Sequence, residues 1–208
     1  MTPLVLIRHG ATDWNADGRI QGRSDPPLSA AGRRAVAAWR LPEEMTGPGA
    51  EDWTWLTSPL ERARATAALL RPEPPARPEP ALIEMHWGAW EGRRLDELRA
   101  QGGESMAAEE ARGLDFRPPD GESPRQVQMR LRPLLERVAE AGRPTVAVSH
   151  KGVIRALYAL ASGWDMTGRP AEKLRDACAH RFLLGPGGAP ETDRLNLPLI
   201  PRSADNDP

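Results

Sequence analysis

Twice in this chain a short apolar run rich in β-branched residues breaks off at a histidine. Pro3-Leu4-Val5-Leu6-Ile7 gives way to Arg8-His9-Gly10, and Thr145-Val146-Ala147-Val148-Ser149 gives way to His150-Lys151-Gly152. Runs of this length, enriched in valine and isoleucine and cut short by polar residues, read as buried strands rather than helices. A third run, Trp53-Thr54-Trp55-Leu56-Thr57, stops in the same manner at Ser58-Pro59. Helical patterns follow them: Leu60 to Leu70 is rich in Ala and Arg, and Val153, Leu157 and Leu160 mark a helix after His150. Ser29 is predicted to cap a further helix through Ala35, Val36 and Trp39. From Ser123 the apolar residues Val127, Leu131, Leu134, Leu135 and Val138 recur at helical spacing, predicting an amphipathic helix that ends before Gly142. Strands alternating with helices imply an α/β fold, a three-layer α/β/α sandwich with a mostly parallel central sheet.

The remaining segments fill in that plan. Arg71 to Pro80 carries too many prolines for a helix or a central strand and reads as a stiff surface loop, with a proline-rich docking ligand as the lesser alternative. Ala81-Leu82-Ile83-Glu84 is expected to resume as a short strand. Between Leu95 and Arg132, polar Ala- and Glu-rich stretches around Gly102-Gly103 and Pro118-Pro119-Asp120-Gly121 predict helices broken by a loop that could cover a site. With 208 residues the chain suits one core, so residues 1–197 are expected to form a single domain and residues 198–208 a flexible tail.

Charge and composition narrow the function. A net charge of -1 argues against a generic nucleic-acid or membrane-surface binder, so any positive site must be local. No basic stretch followed by an apolar one opens the sequence, and nothing approaches the roughly 18 apolar residues of a spanning helix, which makes a cytoplasmic address the expectation. The single Cys178 permits no internal disulfide and reads as a small buried hydrophobe. The four histidines show no metal-ligand spacing, so no metal site is predicted. Seven tryptophans against two Phe and one Tyr suggest indoles serving as core and cleft walls.

In open α/β sheets, ligands bind beyond the carboxyl ends of the strands. The predicted strands end at His9, Ser58 and His150, and with Arg8 and Arg62 they would gather cationic or potentially cationic groups into one crevice. Such a cluster wants an anion.

Leu6-Ile7-Arg8-His9-Gly10-Ala11-Thr12-Asp13-Trp14-Asn15 is followed in order by Gln21-Gly22-Arg23-Ser24-Asp25-Pro26-Pro27-Leu28-Ser29, Thr57-Ser58-Pro59-Leu60-Glu61-Arg62-Ala63, Glu84-Met85-His86-Trp87-Gly88-Ala89-Trp90-Glu91-Gly92 and Val148-Ser149-His150-Lys151-Gly152. Over Leu4 to Leu160 this ordered set resembles the histidine phosphatase superfamily, which includes the cofactor-dependent phosphoglycerate mutases. The resemblance implies a phosphoglycerate mutase-like fold and a phosphomonoester substrate, with no metal and no cofactor. His9 matches the family's phosphorylated histidine, Arg8, Arg62 and His150 its phosphate-pocket groups, and Glu84 its proton donor. Asn15, Gln21 and Gly22 fall where the family places further phosphate contacts.

The chemistry gives those residue types their reasons. Phosphoryl transfer has a loose transition state with charge spread over the equatorial oxygens, so catalysis is mainly positioning and electrostatic stabilisation. Arginine forks suit that geometry. His9 must attack as neutral imidazole; neighbouring arginines lower its pKa and a bound dianion raises it, which poises it near neutrality. Glu84 can donate a proton only if burial or the substrate dianion holds its pKa well above about 4.3, an effect the arginines oppose. Lys151 departs from the small residue that many relatives carry after this histidine. It either selects substrates with a second anionic group or points to solvent. His86 reads as a rim or structural residue that could touch substrate, Trp87 and Trp14 as cleft walls, and His180 carries no motif.

Mutase relatives usually have Ser at the position of Thr12, Arg at that of Met85 and Tyr at that of Trp87. The middle segment also offers no consecutive Arg pair that plainly matches their carboxylate clamp. Gly121-Glu122-Ser123 before a helix looks more like the phosphatase branch, which hydrolyses small phosphomonoesters. The alternatives are a mutase, a non-catalytic phospho-ligand binding module and a phosphohistidine phosphatase acting on proteins.

Overall fold

A computed structural model describes residues 1–45 and 49–201. The three apolar runs become adjacent parallel strands. Strand β1 (Thr2–Arg8) pairs with β5 (Thr145–Ser149) from Leu4 opposite Thr145 to Arg8 opposite Ser149. Strand β3 (Thr54–Thr57) lies on the other side of β5. Leu4 and Leu6 face one core cluster while Val5 and Ile7 face the other, the period of two that a strand buried on both sides requires. Helices α5 (Pro124–Ala141) and α6 (Lys151–Ser162) close the first face through Leu131, Leu135, Ala156 and Leu157. Helix α3 (Glu61–Leu70) closes the second through Ala63 and Ala67. The three layers are therefore as predicted.

The sheet has six strands in the order β4 (Arg77–Pro78), β3, β5, β1, β6 (Cys178–Leu184) and β7 (Pro190–Pro198). Strand β4 (Arg77–Pro78) is two residues of the proline-rich segment, placed at an edge where a missing backbone donor costs least. Beyond β1 the sheet turns antiparallel with β6 (Cys178–Leu184) and β7 (Pro190–Pro198), a hairpin that the sequence patterns do not announce.

Elsewhere the local rules hold or yield for visible reasons. Ser29 Oγ accepts from Gly32 N at 2.9 Å and caps α2 (Ala30–Ala37). Trp39 leaves that helix, because Trp39–Arg40 (β2) pair with Ile200–Pro201 (β8). The same pairing corrects the expectation of a loose tail at 198–208. Leu199 is buried in the second core cluster and its N–H bonds Ala177 O, so the chain is anchored as far as Pro201; residues 202–208 lie outside the described part. The expected strand at Ala81–Glu84 is instead a single tight turn over Pro80–Leu82, begun by the proline ring and by the Glu79 carboxylate accepting from Ala81 N. Helix α4 (Leu95–Glu110) bends at Gly103 and precedes α5, whose first turn is closed by reciprocal bonds between Ser123 and Gln126.

Candidate active site

Because β1, β3 and β5 are parallel neighbours, the residues that follow them emerge on one edge of the sheet. The backbone carries the ladder one step further: His9 N donates to Ser149 O at 3.0 Å and Ser58 N to Val148 O at 2.8 Å. The His9 and His150 rings sit 5.1 Å apart, and His150 Nε2 lies 2.7 Å from Ser58 Oγ. Gly10 O stands 2.7 Å from His9 Nδ1. A carbonyl can only accept, so the proton belongs on Nδ1 and the lone pair on Nε2. Arg62 Nε donates to that Nε2 at 3.3 Å.

Burial first, then Arg8 and Arg62, push the His9 pKa down to about 3. The unliganded imidazole is thus neutral at every physiological pH. The expectation that it is poised near neutrality counted the arginines and left out desolvation, which is the larger effect. His150, with no exposed surface, is held well below the usual histidine range by the same burial and by its cationic neighbours.

Arg62 has no exposed surface either, and each guanidinium nitrogen is occupied. Nη1 donates to Ser24 O at 2.7 Å and to Asp25 Oδ1 at 3.1 Å, Nη2 to Gly22 O at 2.7 Å and Nε to His9. Asp25 also accepts from Glu61 N, tying the first turn of α3 to the same loop. That loop is clamped in turn by Glu91, whose carboxylate accepts from Arg23 N, Ser24 N, Ser24 Oγ and Trp87 N at 2.7 to 3.1 Å. Burial works to raise the Glu91 pKa, but those four donors outweigh it and keep the group ionised. Gly22 is required here: its φ is +56°, and a Cβ would stand 2.1 Å from Glu91 Oε1. Arg8 pairs with Asp176 through Nη1, while its Nε is buried without a partner.

Glu84 is 8% exposed. Oε1 accepts from Met85 N at 2.8 Å and Oε2 from Gly152 N at 3.2 Å. Burial raises its pKa, and neither these bonds nor Arg62 and Arg8 cancel the effect. Burial thus biases the carboxyl group toward its protonated form. Gly152 makes the room, since a Cβ there would meet Glu84 Oε1 at 2.5 Å.

A cavity of about 630 Å³ opens over these groups, and its wall includes Arg8, His9, Asn15, Gln21, Gly22, Arg62, Glu84 and Lys151. His150 alone among the predicted site residues lies behind the wall, against His9. Asn15 Oδ1 is committed to Thr12 N, at 2.9 Å, in the cap of the short helix α1 (Asp13–Ala16), which leaves its Nδ2 to face a ligand. Trp87 lines the cavity and packs edge-on against Phe116 at 5.8 Å, whereas Trp14 and His86 lie outside it, His86 3.7 Å from Glu91. Buried His180 accepts from Asn196 N in the β6–β7 hairpin, and Cys178 is buried as expected. Arg93 and Arg94 engage Gln101 and Glu97 and do not line the cavity. Asp25, Glu91 and Asp176 were not assigned roles from the sequence; the signal available for the first two was that a buried Arg in a cationic crevice must find an acid nearby. Among the described residues no three His, Cys, Asp or Glu side chains gather as metal ligands, and no helix is long and apolar enough to cross a membrane.

A neutral buried imidazole beside two arginines, with a buried carboxyl group on the same cavity, is an arrangement suited to phosphoryl transfer at the edge of a parallel sheet. Residues 4–197 match the histidine phosphatase superfamily (branch 1), and the chain belongs to that superfamily. It is similar to a 2,3-bisphosphoglycerate-dependent phosphoglycerate mutase of Gloeobacter violaceus, with 32% identity over 76% of this chain and 74% of the relative. It is 34% identical to a metal-independent phosphoserine phosphatase of Arabidopsis thaliana over 76% of this chain and 68% of that one. Among solved structures, a mycobacterial glucosyl-3-phosphoglycerate phosphatase complexed with VO3 superposes with a TM-score of 0.75 and 30% identity, covering 96% of this chain and 100% of the other.

Proposed function

We propose that this protein is a metal-independent phosphomonoester hydrolase that acts on a small phosphorylated metabolite through a phosphohistidine at His9. One observation carries the reading. Of the four buried side-chain polar atoms without a partner among the described residues, two line the His9 cavity, Arg8 Nε and Gln21 Oε1, and a third, His150 Nδ1, lies just behind its wall against His9. Leaving such groups unpaired is costly, and a phosphate group at His9 brings the oxygens that would satisfy the two nitrogens. The Gln21 amide carries both an oxygen and an NH₂, and rotation about its last bond turns the nitrogen to the same oxygens.

The steps follow from the residues. His9 Nε2 attacks phosphorus, the P–O ester bond breaks, and Glu84 passes its proton to the departing alkoxide. Arg8, Arg62, Asn15, Gln21 and Gly22 N–H hold the equatorial oxygens. His150 supports His9 from behind and offers Nδ1. Water then attacks phospho-His9, the ionised Glu84 takes its proton, and inorganic phosphate leaves with both groups restored. The cations do here what a metal ion would do elsewhere, so none is needed. A small-molecule partner fits the net charge of -1, and a cytoplasmic location belongs to the same proposal.

Hydrolysis is favoured over mutase chemistry by Thr12, Met85 and Trp87. Met85 is buried and uncharged, so the position after Glu84 supplies no cation, and Arg93 and Arg94 lie outside the cavity. The similarity to a named mutase supports the second reading, return of the phosphoryl group to a substrate hydroxyl instead of water.

Phosphate release from a panel of metabolites in EDTA separates the two. Hydrolysis gives free phosphate without metal, and a mutase interconverts 3- and 2-phosphoglycerate without releasing it. A brief reaction stopped in alkali should leave acid-labile phosphate on the wild type and none on His9→Ala, and orthovanadate should inhibit as a trigonal-bipyramidal mimic. An acid-stable adduct or full activity in His9→Ala overturns the mechanism.

A further inference from the structure

The cations around the cavity divide into two kinds. Arg8 is bound to Asp176, Arg62 to Asp25 and two carbonyls, Arg19 to Asp17 and Gly92 O, and Arg99 to Glu110. Lys151 and Arg155 also line the cavity, yet neither has an acceptor oxygen within bonding distance among the described residues. Asp176 attracts Lys151 at longer range but is committed to Arg8. The two stand four residues apart on α6, hence on one face about one turn from each other.

Arg155 is the more telling of the pair. It is half-buried, burial lowers its pKa, and no carboxylate opposes that effect. Its guanidinium lies 5.1 Å from the centre of the Trp164 ring, a weaker partner than a carboxylate. Trp164 is itself fixed, by Nε1 donating to Thr167 O at 3.0 Å and by packing on Tyr158. A desolvated guanidinium fork is thus held in place at the cavity with its strongest bonding capacity unused. A group in that state is stabilised by whatever anion enters the cavity.

We propose that Lys151 and Arg155 form a second anion subsite, and that the substrate is a phosphomonoester whose organic part carries a further carboxylate or phosphate group directed toward α6. The inference rests on the preceding reading only in seating the ester phosphate at His9. Lys151 supplies a mobile point charge at the rim, and Arg155 the bidentate fork that fixes direction.

Binding tests it without turnover. In full-length His9→Ala protein, titration calorimetry compares 3-phosphoglycerate with glycerol 3-phosphate, and fructose 1,6-bisphosphate with fructose 6-phosphate. In at least one pair the ester with the second anion should bind about tenfold tighter or more, as a charge-assisted hydrogen bond provides. Arg155→Gln should bring that ratio within about twofold while barely moving the singly anionic partner, and Arg155→Lys should retain part of it. Lys151 is exposed, so Lys151→Gln provides a variant whose folding is not at risk, with a smaller loss in the same ratio. A response confined to the first pair assigns a carboxylate, and one confined to the second a phosphate. The proposal is overturned if matched esters bind within twofold of each other, if no ester binds, or if Arg155→Gln weakens both members of a pair equally. A retained preference with no phosphate release from any ester would instead reject hydrolysis and keep the subsite.

Discussion

The floor of the cavity and its α6 rim use the same residue type in opposite ways. At the floor, Arg62 spends every nitrogen on a carbonyl, a carboxylate or the His9 ring, inside a loop that Glu91 locks from behind. At the rim, Arg155 rests on an indole face and Lys151 reaches toward solvent. The contrast separates two tasks. Charge fixed before the substrate arrives needs no reorganisation as the transition state forms, which suits groups that serve any phosphoryl transfer. Charge left uncommitted gains most from a particular partner, which suits groups that choose among substrates. Floor variants should therefore penalise all phosphomonoesters alike, and rim variants only some.

Glu84 is the sharpest challenge to that division, because it is a floor residue whose loss should depend on the substrate, through basicity rather than charge. An alkoxide leaves as a strong base, so Glu84→Gln should lower kcat/KM for alkyl phosphates by roughly 10²–10⁴-fold. p-Nitrophenolate departs unprotonated and should suffer much less. The comparison uses kcat/KM because, in the proposed mechanism, Glu84 also serves the hydrolysis of phospho-His9, which would slow both substrates together at saturation. Equal losses would reject Glu84 as the proton donor.

The next effect is on stability. His9 is neutral in the folded state because its pKa lies near 3, while in the unfolded chain it returns to about 6.5. Below pH 6.5 the unfolded state gains a proton that the native floor refuses, so the contribution is complete above that pH and lost as pH falls toward 3. At pH 5 this costs about 2 kcal/mol from His9 alone. Urea unfolding at pH 7 and pH 5 should show a smaller loss in His9→Asn by about that amount, whereas Lys151→Gln should follow the wild type. Parallel slopes for wild type and His9→Asn would mean that the imidazole is not desolvated.

Smallest is the expected cost of loosening the frame around Arg62. Glu91→Gln keeps the shape but removes the charge that gathers four donors, and kcat/KM should fall about tenfold, the equivalent of one charge-assisted bond. The factor should be the same for singly and doubly anionic esters. A loss that varied with the second anion would erase the boundary between floor and rim.

How much of this could be read in advance depends on where a residue's partners lie. β1 and β5 are legible because a central parallel strand is buried on both faces and shows as an unbroken apolar run. In β6 the run is interrupted by His180 and Arg181, and β7 exposes Glu191, Thr192, Asp193 and Arg194 at a sheet edge, so neither matches a simple period. At the site, the cationic groups sit in recognisable motifs next to strand ends. Not all of their counterparts do. Asp176 reaches Arg8 across 168 positions from a segment with no pattern of its own, and Arg155 reads from the sequence only as a polar residue on an apolar helix. The depth of the His9 pKa depression was illegible for a related reason, since desolvation belongs to the assembled layers and not to any local stretch.

The order in which the chain is made has a consequence for when the site can exist. β1 joins β5 and β6 directly, so the strand that carries His9 can complete its ladder only with residues from far down the sequence. The Ser58–His150 bond alone spans 92 positions, and Glu84 needs the N–H of Gly152. At roughly 5–20 residues per second of synthesis, the nucleophile waits on the order of ten seconds for the strand and helix that enclose it. A ribosome-bound chain that has not yet delivered Gly152 has the nucleophile and both floor arginines but no walls around them. Catalytic competence should therefore appear only late in translation, and prematurely terminated chains should be inert toward phosphate esters.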